Sequence, residues 1–508
     1  MFVYYGKTKG SIKSLSGKAP KKLLWGDWLD VEETSPPSAN YKVNWHSWSR
    51  DTGRSWTDPY TVAKRDCRDT PLLEMIFLDV GQGDGCILSV PDGKAHKIMV
   101  IDAGQRNNML NFLRWKTRGF RVGTDVHAAV ITHPDQDHYL GFQPVFDQQQ
   151  FRFAEVWHNG LVERQNPGDA DPIGPRSNGY CTDVIADQAA LQQLVGDPNR
   201  RGRKKYPKLL WTALSEPHRF AKVAMLSTLT AQAQGGRAWL PGFAPGDHPD
   251  TTIEVLGPVP ERDPASGAMR LRVFDDAPPG AEFAPGKTKN GHSIILRLEH
   301  GGFSAVFGGD LNAPAEDYLL RHYGGIGPSA PLADAVATAR ARIGADFLKC
   351  CHHGSADVTD EFVQAVNPVA FVLSSGDNET HVHPRPEIIG MLGKHGRGDR
   401  PAILSTELQR SSPENMALSP GEAKKLEALM AAFASAPSDT ARAEAKKKVE
   451  TFWAARMRRL VAVYGAINIR TDGDRLIAAF KVEAGGGWHI IEYERSGHNW
   501  AIKPKAAH

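Results

Sequence analysis

A dense run of histidine and aspartate at residues 133–138 is the part of the chain with the clearest chemical potential. Its candidate metal ligands are His133, Asp135, Asp137 and His138. The apolar residues 128–131 predict a buried strand before the run, and Pro134 disfavours a helix directly after that strand. Carboxylates held this close raise each other's pKa unless a cation is present. We therefore predict a strand that ends in a metal-binding loop. A polar surface turn is the less favoured alternative, because so dense a run after a buried strand is unusual.

The overall composition is that of a globular protein with several domains. The chain has 508 residues, of which 41% are hydrophobic and 23% are charged, and this length accommodates two or three domains. The net charge of +3 does not indicate a nucleic-acid protein, so any basic binding patch would be local. No apolar run reaches the length of a membrane span, and no signal peptide is visible. Five cysteines without metal or disulfide spacing fit a reduced compartment, so we expect a soluble cytoplasmic protein.

The histidine and aspartate run resembles the signature loop of a known superfamily. Its pattern, His-x-Asp-x-Asp-His, is similar to the His-x-His-x-Asp-His loop of the metallo-β-lactamase superfamily, with Asp135 in place of the second histidine. This variant resembles the nuclease-like domain of ComEC-type competence proteins. The other segments that resemble this domain are Asp-Val-Gly-Gln-Gly-Asp at 79–84, Ile-Asp-Ala-Gly at 101–104, Gly-Gly-Asp at 308–310 and His-His-Gly-Ser at 352–355. The resemblance spans roughly residues 74–485. It implies an α/β (α+β) fold, the αββα sandwich, with the metals at one edge of two facing sheets.

The resemblance also implies which residues bind one or two divalent metal ions. These are His133 and Asp135 for one ion, Asp137, His138 and either His352 or His353 for the other, and Asp310 as the bridge between them. Asp102 would orient the metal-binding imidazoles, with a turn-capping aspartate as the alternative. The residues expected to support the ligands or to contact substrate are Asp102, Asp84, Asn290, His292, Ser293 and Ser355.

Several roles stay open at this stage. His352 and His353 are adjacent at a predicted strand end, where side chains alternate in direction, so one of them is expected to be the ligand. His292 is a candidate ligand, a substrate contact or an incidental residue. The candidates for delivering the leaving-group proton are Asp137, His383 and His352. The carboxylate of Asp135 makes the site harder, which favours manganese or magnesium over zinc, with zinc as the alternative.

Other segments suggest added modules around a domain of residues 73–485. Residues 1–72 are β-rich and loosely resemble a bacterial SH3-like barrel. The tryptophans of this module, which form either a recognition groove or its core, are Trp25, Trp28, Trp45 and Trp56. Residues 158 to about 250 look like an insertion, and the Pro- and Gly-rich residues 263–289 predict a loop. Residues 419–460 predict a helical hairpin, and residues 486–508 form a strand-like tail. The N-terminal module and the hairpin are candidate surfaces for a protein partner.

The substrate is predicted from the resemblance and from a local basic run. That run, which would attract a polyanion or else form a solvated loop, contains Arg200, Arg201, Arg203, Lys204 and Lys205. The first hypothesis is a metal-dependent nuclease acting on DNA, in which the ions lower the pKa of water to about 7 and polarise a substrate oxygen. The alternatives are a phosphodiesterase for a small, perhaps cyclic, nucleotide and a partner-binding module with a structural metal site.

Overall fold

The protein combines helices with several β-sheets, which confirms the mixed α and β composition predicted from the sequence. The computed structural model describes residues 1–34, 36, 38–48, 54–165, 172–274, 283–375, 382–406, 418, 420–461, 465–481, 487–497 and 499–503. Within these ranges, none of the helices combines the length and the apolar composition that a membrane span requires.

The N-terminal residues form a sheet of their own. In spatial order, its strands are Lys21–Leu24, Lys9–Ser14, Ser55–Ala63, Asn40–Trp48, Trp28–Glu32, Phe2–Tyr5 and Cys67–Arg68. Alternate side chains along these strands are buried and pack into one small core, which includes Ile12, Leu23, Val43 and Tyr60. Trp25 instead packs against Leu72 and Ile477, so it joins this sheet to the rest of the protein.

Ten strands form the largest sheet. From one edge to the other they are Phe220–Met225, Arg152–His158, Asp125–Val130, Ala95–Ala103, Gly85–Asp92, Leu73–Phe77, Ile467–Thr471, Leu476–Lys481, Trp488–Ser496 and Asn499–Ile502. The first four strands are parallel to one another, and the remaining pairs are antiparallel. The parallel strands are apolar because both of their faces are covered.

Eight strands form a second large sheet, and a smaller one lies beside it. The eight are Gln232–Gln234, Arg237–Trp239, Thr251–Gly257, Ile295–His300, Phe303–Phe307, Phe347–Lys349, Ala370–Leu373 and Ala402–Ser405. The last four are parallel, so the loops that follow them emerge at one edge. The smaller sheet contains Arg176–Ser177, Tyr180–Cys181, Met269–Arg272 and Glu261–Arg262.

The two large sheets pack face to face. Side chains from both form one apolar cluster, in which the rings of Phe77 and Phe307 stack with centroids 6.0 Å apart. The helices that cover the outer face of the ten-stranded sheet are Asn108–Lys116, Phe142–Phe146, Gln188–Gly196 and Lys205–Ser215. Those that cover the eight-stranded sheet are Ala313–Gly324, Ala333–Ile343, Asp360–Val366 and Pro386–His395. The layer order is therefore helix, sheet, sheet, helix.

Shorter and peripheral helices complete the fold. They are Lys64–Asp66, Gln136–Tyr139, Pro198–Arg201, Pro285–Gly291, Cys351–Gly354, Pro420–Ala434 and Asp439–Val461. The last two form the hairpin expected for residues 419–460, of which residue 419 lies outside the described ranges. None of the residues in Pro420–Ala434 is buried. The exposed fraction of the surface is 49% for Met430 and 39% for Trp453. The hairpin therefore keeps large apolar side chains on its surface.

Three further segments contribute strands or helices, and the tail has the strands that the sequence predicts. Residues 158–250, expected as an insertion, supply the strand Phe220–Met225 to the ten-stranded sheet. The tail contributes two antiparallel strands to the opposite side of the same sheet. The loop predicted at 263–289 contains Met269–Arg272 and the start of the helix Pro285–Gly291. Pro285 is the first residue of that helix, where the N–H that proline lacks would have no partner within the helix. This proline therefore starts a helix and does not indicate a loop.

Glu316 makes the stability of the fold depend on pH. Its side chain is fully buried and accepts hydrogen bonds from Thr359 N at 2.6 Å and Thr359 Oγ1 at 2.7 Å. Burial raises the pKa of Glu316 from 4.5 to about 8, although these hydrogen bonds act in the opposite direction. The carboxyl group is therefore largely neutral in the folded protein at pH 7.

Replacing Glu316 by glutamine should remove this pH dependence. The neutral carboxyl group of Glu316 is tolerated in the core, whereas the charged form is not. Because the folded pKa is raised, the contribution of Glu316 to the unfolding free energy is fully present below pH 4.5 and is lost as the pH rises through 8, at up to about 1.4 kcal/mol per pH unit. Between pH 5 and pH 8 the wild type should lose about 3 kcal/mol of unfolding free energy through Glu316, and Glu316→Gln should not show this loss. Urea unfolding followed by circular dichroism at both pH values measures this loss. A difference between the two proteins that does not change with pH would contradict the raised pKa.

Candidate metal centre

Loops from both large sheets meet at one edge of the molecule. The loop after the strand Asp125–Val130 carries residues 133–138, and the turn before Gly85–Asp92 carries Asp84. From the facing sheet, Asp310 follows the strand Phe303–Phe307. His353 follows Phe347–Lys349, the next strand in that sheet, within a short helical turn. Segments far apart in the chain are thus brought together because parallel strands place their carboxyl ends at the same edge.

Four buried side chains form a compact cluster at this edge. The ligand atoms of Asp84, His138, Asp310 and His353 all lie within 4.8 Å of one another. Asp310 is central, because its Oδ2 lies 3.2 Å from Nε2 of His138 and 3.1 Å from Nε2 of His353. The sequence predicted Asp84 only as a supporting residue, whereas the structure places its carboxylate among the potential ligands.

The other residues of the 133–138 loop surround this cluster. Nε2 of His133 lies 3.7 Å from Oδ2 of Asp135 and 3.9 Å from Oδ2 of Asp310. Oδ2 of Asp137 lies 3.6 Å from Nε2 of His353. Asp137 is partly exposed, whereas His133 is fully buried. The loop thus extends the cluster on both sides, with Asp137 nearer to solvent.

Asp102 holds the loop and one imidazole in place. Its Oδ2 lies 2.8 Å from Nδ1 of His138 and accepts the hydroxyl of Thr132 at 2.7 Å, while its Oδ1 accepts Thr132 N at 2.8 Å. A carboxylate on Nδ1 directs Nε2 toward the cluster. Asp102 thus contacts Nδ1 of His138, whereas Nε2 of the same ring lies beside Asp310. Its φ of 54° shows that the turn also requires a left-handed backbone there.

Lys349 is an important residue of the site that the sequence reasoning missed. Its ammonium group is buried, forms an ion pair with Asp84, donates to Gly309 O at 2.9 Å and lies 3.9 Å from Oδ1 of Asp310. Burial lowers the pKa of Lys349, but Asp84 and Asp310 raise it more, so the side chain stays charged. The signal in the sequence was a lone lysine within the apolar run at 347–351, since a buried lysine requires a partner.

The electrostatics of the cluster fit a cation. Burial lowers the pKa of His138 and His353, yet neighbouring carboxylates, Asp310 foremost, raise the pKa of both imidazoles well above its usual value. Nε2 of each histidine is buried against Oδ2 of Asp310, and Oδ1 of Asp310 is buried without a hydrogen-bond partner among the described residues. Buried polar atoms without partners are uncommon. A divalent ion bound by carboxylates and imidazoles would account for both observations.

The structure separates His352 from His353. His353 lies in the cluster, whereas His352 lies beside Asn290, with Nδ2 of Asn290 and Nε2 of His352 3.4 Å apart. In the orientation that satisfies more hydrogen bonds, the Asn290 amide nitrogen instead donates to Oδ2 of Asp135 at 2.9 Å. The strand expected to reach His352 ends at Lys349, and both histidines have positive φ. Strand alternation therefore does not apply to this pair.

Other predicted residues take supporting or distant positions. Ser293 Oγ accepts the backbone N–H of Asp310 at 3.0 Å and donates to Asn290 O at 2.8 Å. Ser355 Oγ accepts Asp357 N at 3.2 Å and so stabilises the turn after His353. His292 points away from the cluster, because its Nε2 bonds to Arg272 O at 2.7 Å. The ring of His383 lies 6.0 Å from that of His352 and 6.3 Å from that of His353.

The basic run spans the end of one helix, a turn that contains Arg203 and Lys204, and the start of the next helix. Pro198–Arg201 carries Arg200 and Arg201, and Lys205 begins the helix Lys205–Ser215. The side chains of Arg203, Lys204 and Lys205 are exposed. The ring of Tyr206 packs 4.8 Å from that of Tyr139, which directly follows His138. The helix Lys205–Ser215 therefore contacts the metal-binding loop through a buried aromatic pair.

Comparison with known proteins finds a partial similarity to competence proteins. No family model matches the chain. It is 30% identical over 109 residues to ComE operon protein 3 of Bacillus subtilis (strain 168), covering 21% of this chain and 12% of that protein. It is also 30% identical over 108 residues to Competence protein ComA of Neisseria gonorrhoeae, covering 21% and 13% of the two chains. The similarity thus spans about an eighth of the length of these relatives, and part of this chain is similar to competence proteins.

Proposed function

We propose that this protein is a metal-dependent hydrolase of the metallo-β-lactamase fold that cleaves phosphodiester bonds in DNA. The buried cluster of Asp84, His138, Asp310 and His353 carries this proposal. The helix, sheet, sheet, helix layering and the position of the cluster at one edge support the proposed fold. Fold similarity alone would not identify the reaction, so the proposal depends on the chemistry of the site.

The donor set suits one or two hard divalent ions. One ion would be held by the four-residue cluster, and a second would adjoin His133 and Asp135. Asp135, which stands where the resemblance expects a histidine, makes the donor set harder and favours manganese or magnesium, with zinc as the alternative. When bound, such an ion would lower the pKa of water and polarise a phosphate oxygen.

The chain's own residues would orient the ligands and move protons. Asp102 directs His138, Ser293 anchors the backbone of Asp310, and Lys349 balances the charge of Asp84. Asp137 is the partly exposed carboxylate beside His353. Burial raises the pKa of Asp137, but His353 and His138 lower it more, so this side chain holds no proton at neutral pH. The proposed candidates for delivering a proton to the leaving oxygen are therefore His352 and His383 near the rim.

DNA is the proposed substrate for two reasons. The matched relatives are named ComE operon protein 3 and Competence protein ComA. The basic run at residues 200–205 ends next to Tyr206, whose ring packs against Tyr139 of the metal-binding loop. Cationic side chains next to a hydrolytic centre would hold the phosphate backbone and make binding dependent on salt.

Neutralising the basic run should weaken DNA cleavage without affecting the chemistry. We expect glutamine at Arg200, Arg201, Arg203, Lys204 and Lys205 to lower cleavage of DNA by at least about tenfold at 150 mM salt and to flatten its salt dependence. Turnover of bis-p-nitrophenyl phosphate should stay unchanged. The matched control has glutamine at five exposed lysines of the hairpin, Lys424, Lys425, Lys446, Lys447 and Lys448.

The experiment compares single- and double-stranded DNA with manganese, and Asp137→Ala serves as the active-site variant. Equal loss of DNA cleavage in the basic-run variant and its hairpin control would contradict a specific role for the run. Turnover of the small diester without DNA cleavage would favour a small-nucleotide phosphodiesterase. Failure to hydrolyse either substrate while metal is bound would contradict the proposed activity and favour a partner-binding module with a structural metal site.

A further inference from the structure

We propose that a second site, in the cavity between the N-terminal sheet and the ten-stranded sheet, binds a nucleoside phosphate. This cavity has a volume of about 890 Å³, which lies within the usual range for small-molecule sites. The strand Asp125–Val130 begins at the cavity and ends next to the metal-binding loop. Six residues of strand separate the two ends by about 20 Å. The cavity is therefore distinct from the metal centre.

Two cations in the cavity are held by aromatic rings instead of carboxylates. The guanidinium carbon of Arg118 lies 3.9 Å from the ring centroid of Trp45 and 5.3 Å from that of Trp28. Nζ of Lys481 lies 5.0 Å from the ring of Trp488 and 5.8 Å from that of Trp115. Aromatic faces orient a cation without cancelling its charge. Across the described ranges, neither Arg118 nor Lys481 forms an ion pair.

Two of the three carboxylates that line the cavity, Glu74 and Asp27, already have cationic partners, and the third, Asp125, is exposed. Glu74 pairs with Lys116 and with Arg470 at 2.7 Å, and Arg470 also pairs with Asp27 at 2.8 Å. These side chains all line the cavity. The charges of Arg118 and Lys481 are therefore left to attract an anion, which makes phosphate or a similar group the expected charged part of a ligand.

The backbone at Arg118 brings its side chain into this position. Arg118 follows the helix Asn108–Lys116 and has φ of 53°, a left-handed conformation that normally favours glycine or asparagine after a helix. Its backbone N–H donates to Trp115 O at 3.2 Å, which closes the helix end. An arginine at this position is unusual. The position carries its guanidinium group to the two tryptophans of the N-terminal sheet.

Buried polar groups of the wall also lack partners. They are Ser89 Oγ, Arg470 Nε and Trp488 Nε1, which have no hydrogen-bond partner among the residues that the structure describes. All three are potential donors, but each atom is itself fully buried, so these groups lie behind the lining and not on the surface that a ligand would touch.

The aromatic part of the lining indicates the rest of the ligand. The aromatic side chains around the cavity are Phe2, Tyr4, Trp28, Trp45, Trp115 and Trp488. Flat rings of this kind stack on nucleobases regardless of base identity. A nucleoside phosphate combines a planar base with an anionic group, and both match this lining. An inorganic anion would use only the cations.

Calorimetric titration of the metal-stripped full-length protein with ATP in EDTA tests the site. We expect a micromolar dissociation constant for wild type, weakened at least about tenfold by Lys481→Gln and by Arg118→Gln. The matched control is Lys222→Gln, an exposed lysine 4.4 Å over the ring of Trp157 and outside the cavity. Asp310→Asn should bind ATP as wild type does, because the proposed metal centre is not involved.

The outcomes separate this proposal from the proposed hydrolase. Thermal unfolding checks each variant, and Lys481→Gln keeps the test decisive if Arg118→Gln folds poorly. No ATP binding, or equal binding by wild type and Lys481→Gln, would overturn the proposal. Binding of pyrophosphate as tight as that of ATP would overturn the nucleoside part, because the rings would then contribute nothing.

Discussion

Replacing Asp310 by asparagine is expected to abolish manganese binding and phosphodiester hydrolysis together. Oδ2 of Asp310 lies within 3.2 Å of two imidazole nitrogens, so its charge is the centre of the proposed ligand set. Loss of a residue that only supports a ligand typically lowers metal affinity or activity by about 10- to 100-fold. We therefore expect removal of a shared carboxylate to lower turnover by more than about 100-fold. Manganese titration and hydrolysis of bis-p-nitrophenyl phosphate measure the two effects.

A surface aspartate provides the control for this variant. Asp334 lies on the helix Ala333–Ile343 and is exposed, so Asp334→Asn makes the same change in charge away from the site. It should retain wild-type metal binding and rate. If Asp310→Asn bound manganese with wild-type stoichiometry and affinity, the proposed ligand set would be wrong.

Arg470→Met is expected to destabilise the protein by about 3–5 kcal/mol, because it breaks a buried charge network. Arg470 is buried and pairs with Glu74 in the ten-stranded sheet and with Asp27 in the N-terminal sheet. Burial raises the pKa of Glu74, but Lys116 and Arg470 together lower it to about 2. Without Arg470, the negative charge of Asp27 loses its cationic partner and that of Glu74 keeps only Lys116. Urea unfolding followed by circular dichroism measures the loss.

Arg475 offers a matched comparison at the same boundary. It is exposed, and it reaches the N-terminal sheet through a hydrogen bond from Nη2 to Thr8 Oγ1 at 3.0 Å. Exposed polar contacts contribute little, so Arg475→Met should cost less than about 1 kcal/mol. Equal destabilisation by the two substitutions would show that burial of the charge network is not what joins the two sheets.

The metal-binding loop was predictable because its ligands are local in sequence. Residues 133–138 follow an apolar run, and the structure has the expected strand at Asp125–Val130. Asp84 and Lys349 were harder to place, because their pairing joins two sheets across a separation of 265 positions in the chain. Spacing within one motif contains no information about such a contact.

Other differences arise from backbone conformation and from sheet membership. His352 and His353 have φ values of 46° and 56°, which no strand pattern predicts. The strand Phe220–Met225 joins the large sheet in parallel next to Arg152–His158, its neighbour in space but not in sequence. Parallel partners need long connections. The segment before Phe220–Met225 contains several helices, so its sequence pattern alone suggests an insertion. Only the three-dimensional structure shows that its strand belongs to the large sheet.

The central claim is that the buried cluster of Asp84, His138, Asp310 and His353 binds a divalent ion that the hydrolytic reaction requires. The most direct measurement is the titration of metal-stripped protein with manganese while hydrolysis of bis-p-nitrophenyl phosphate and bound metal are both recorded. We predict no turnover in EDTA and a rate that rises in proportion to metal bound, reaching its plateau at one or two ions per chain. Turnover that persists in EDTA, or full metal occupancy without turnover, would contradict the account.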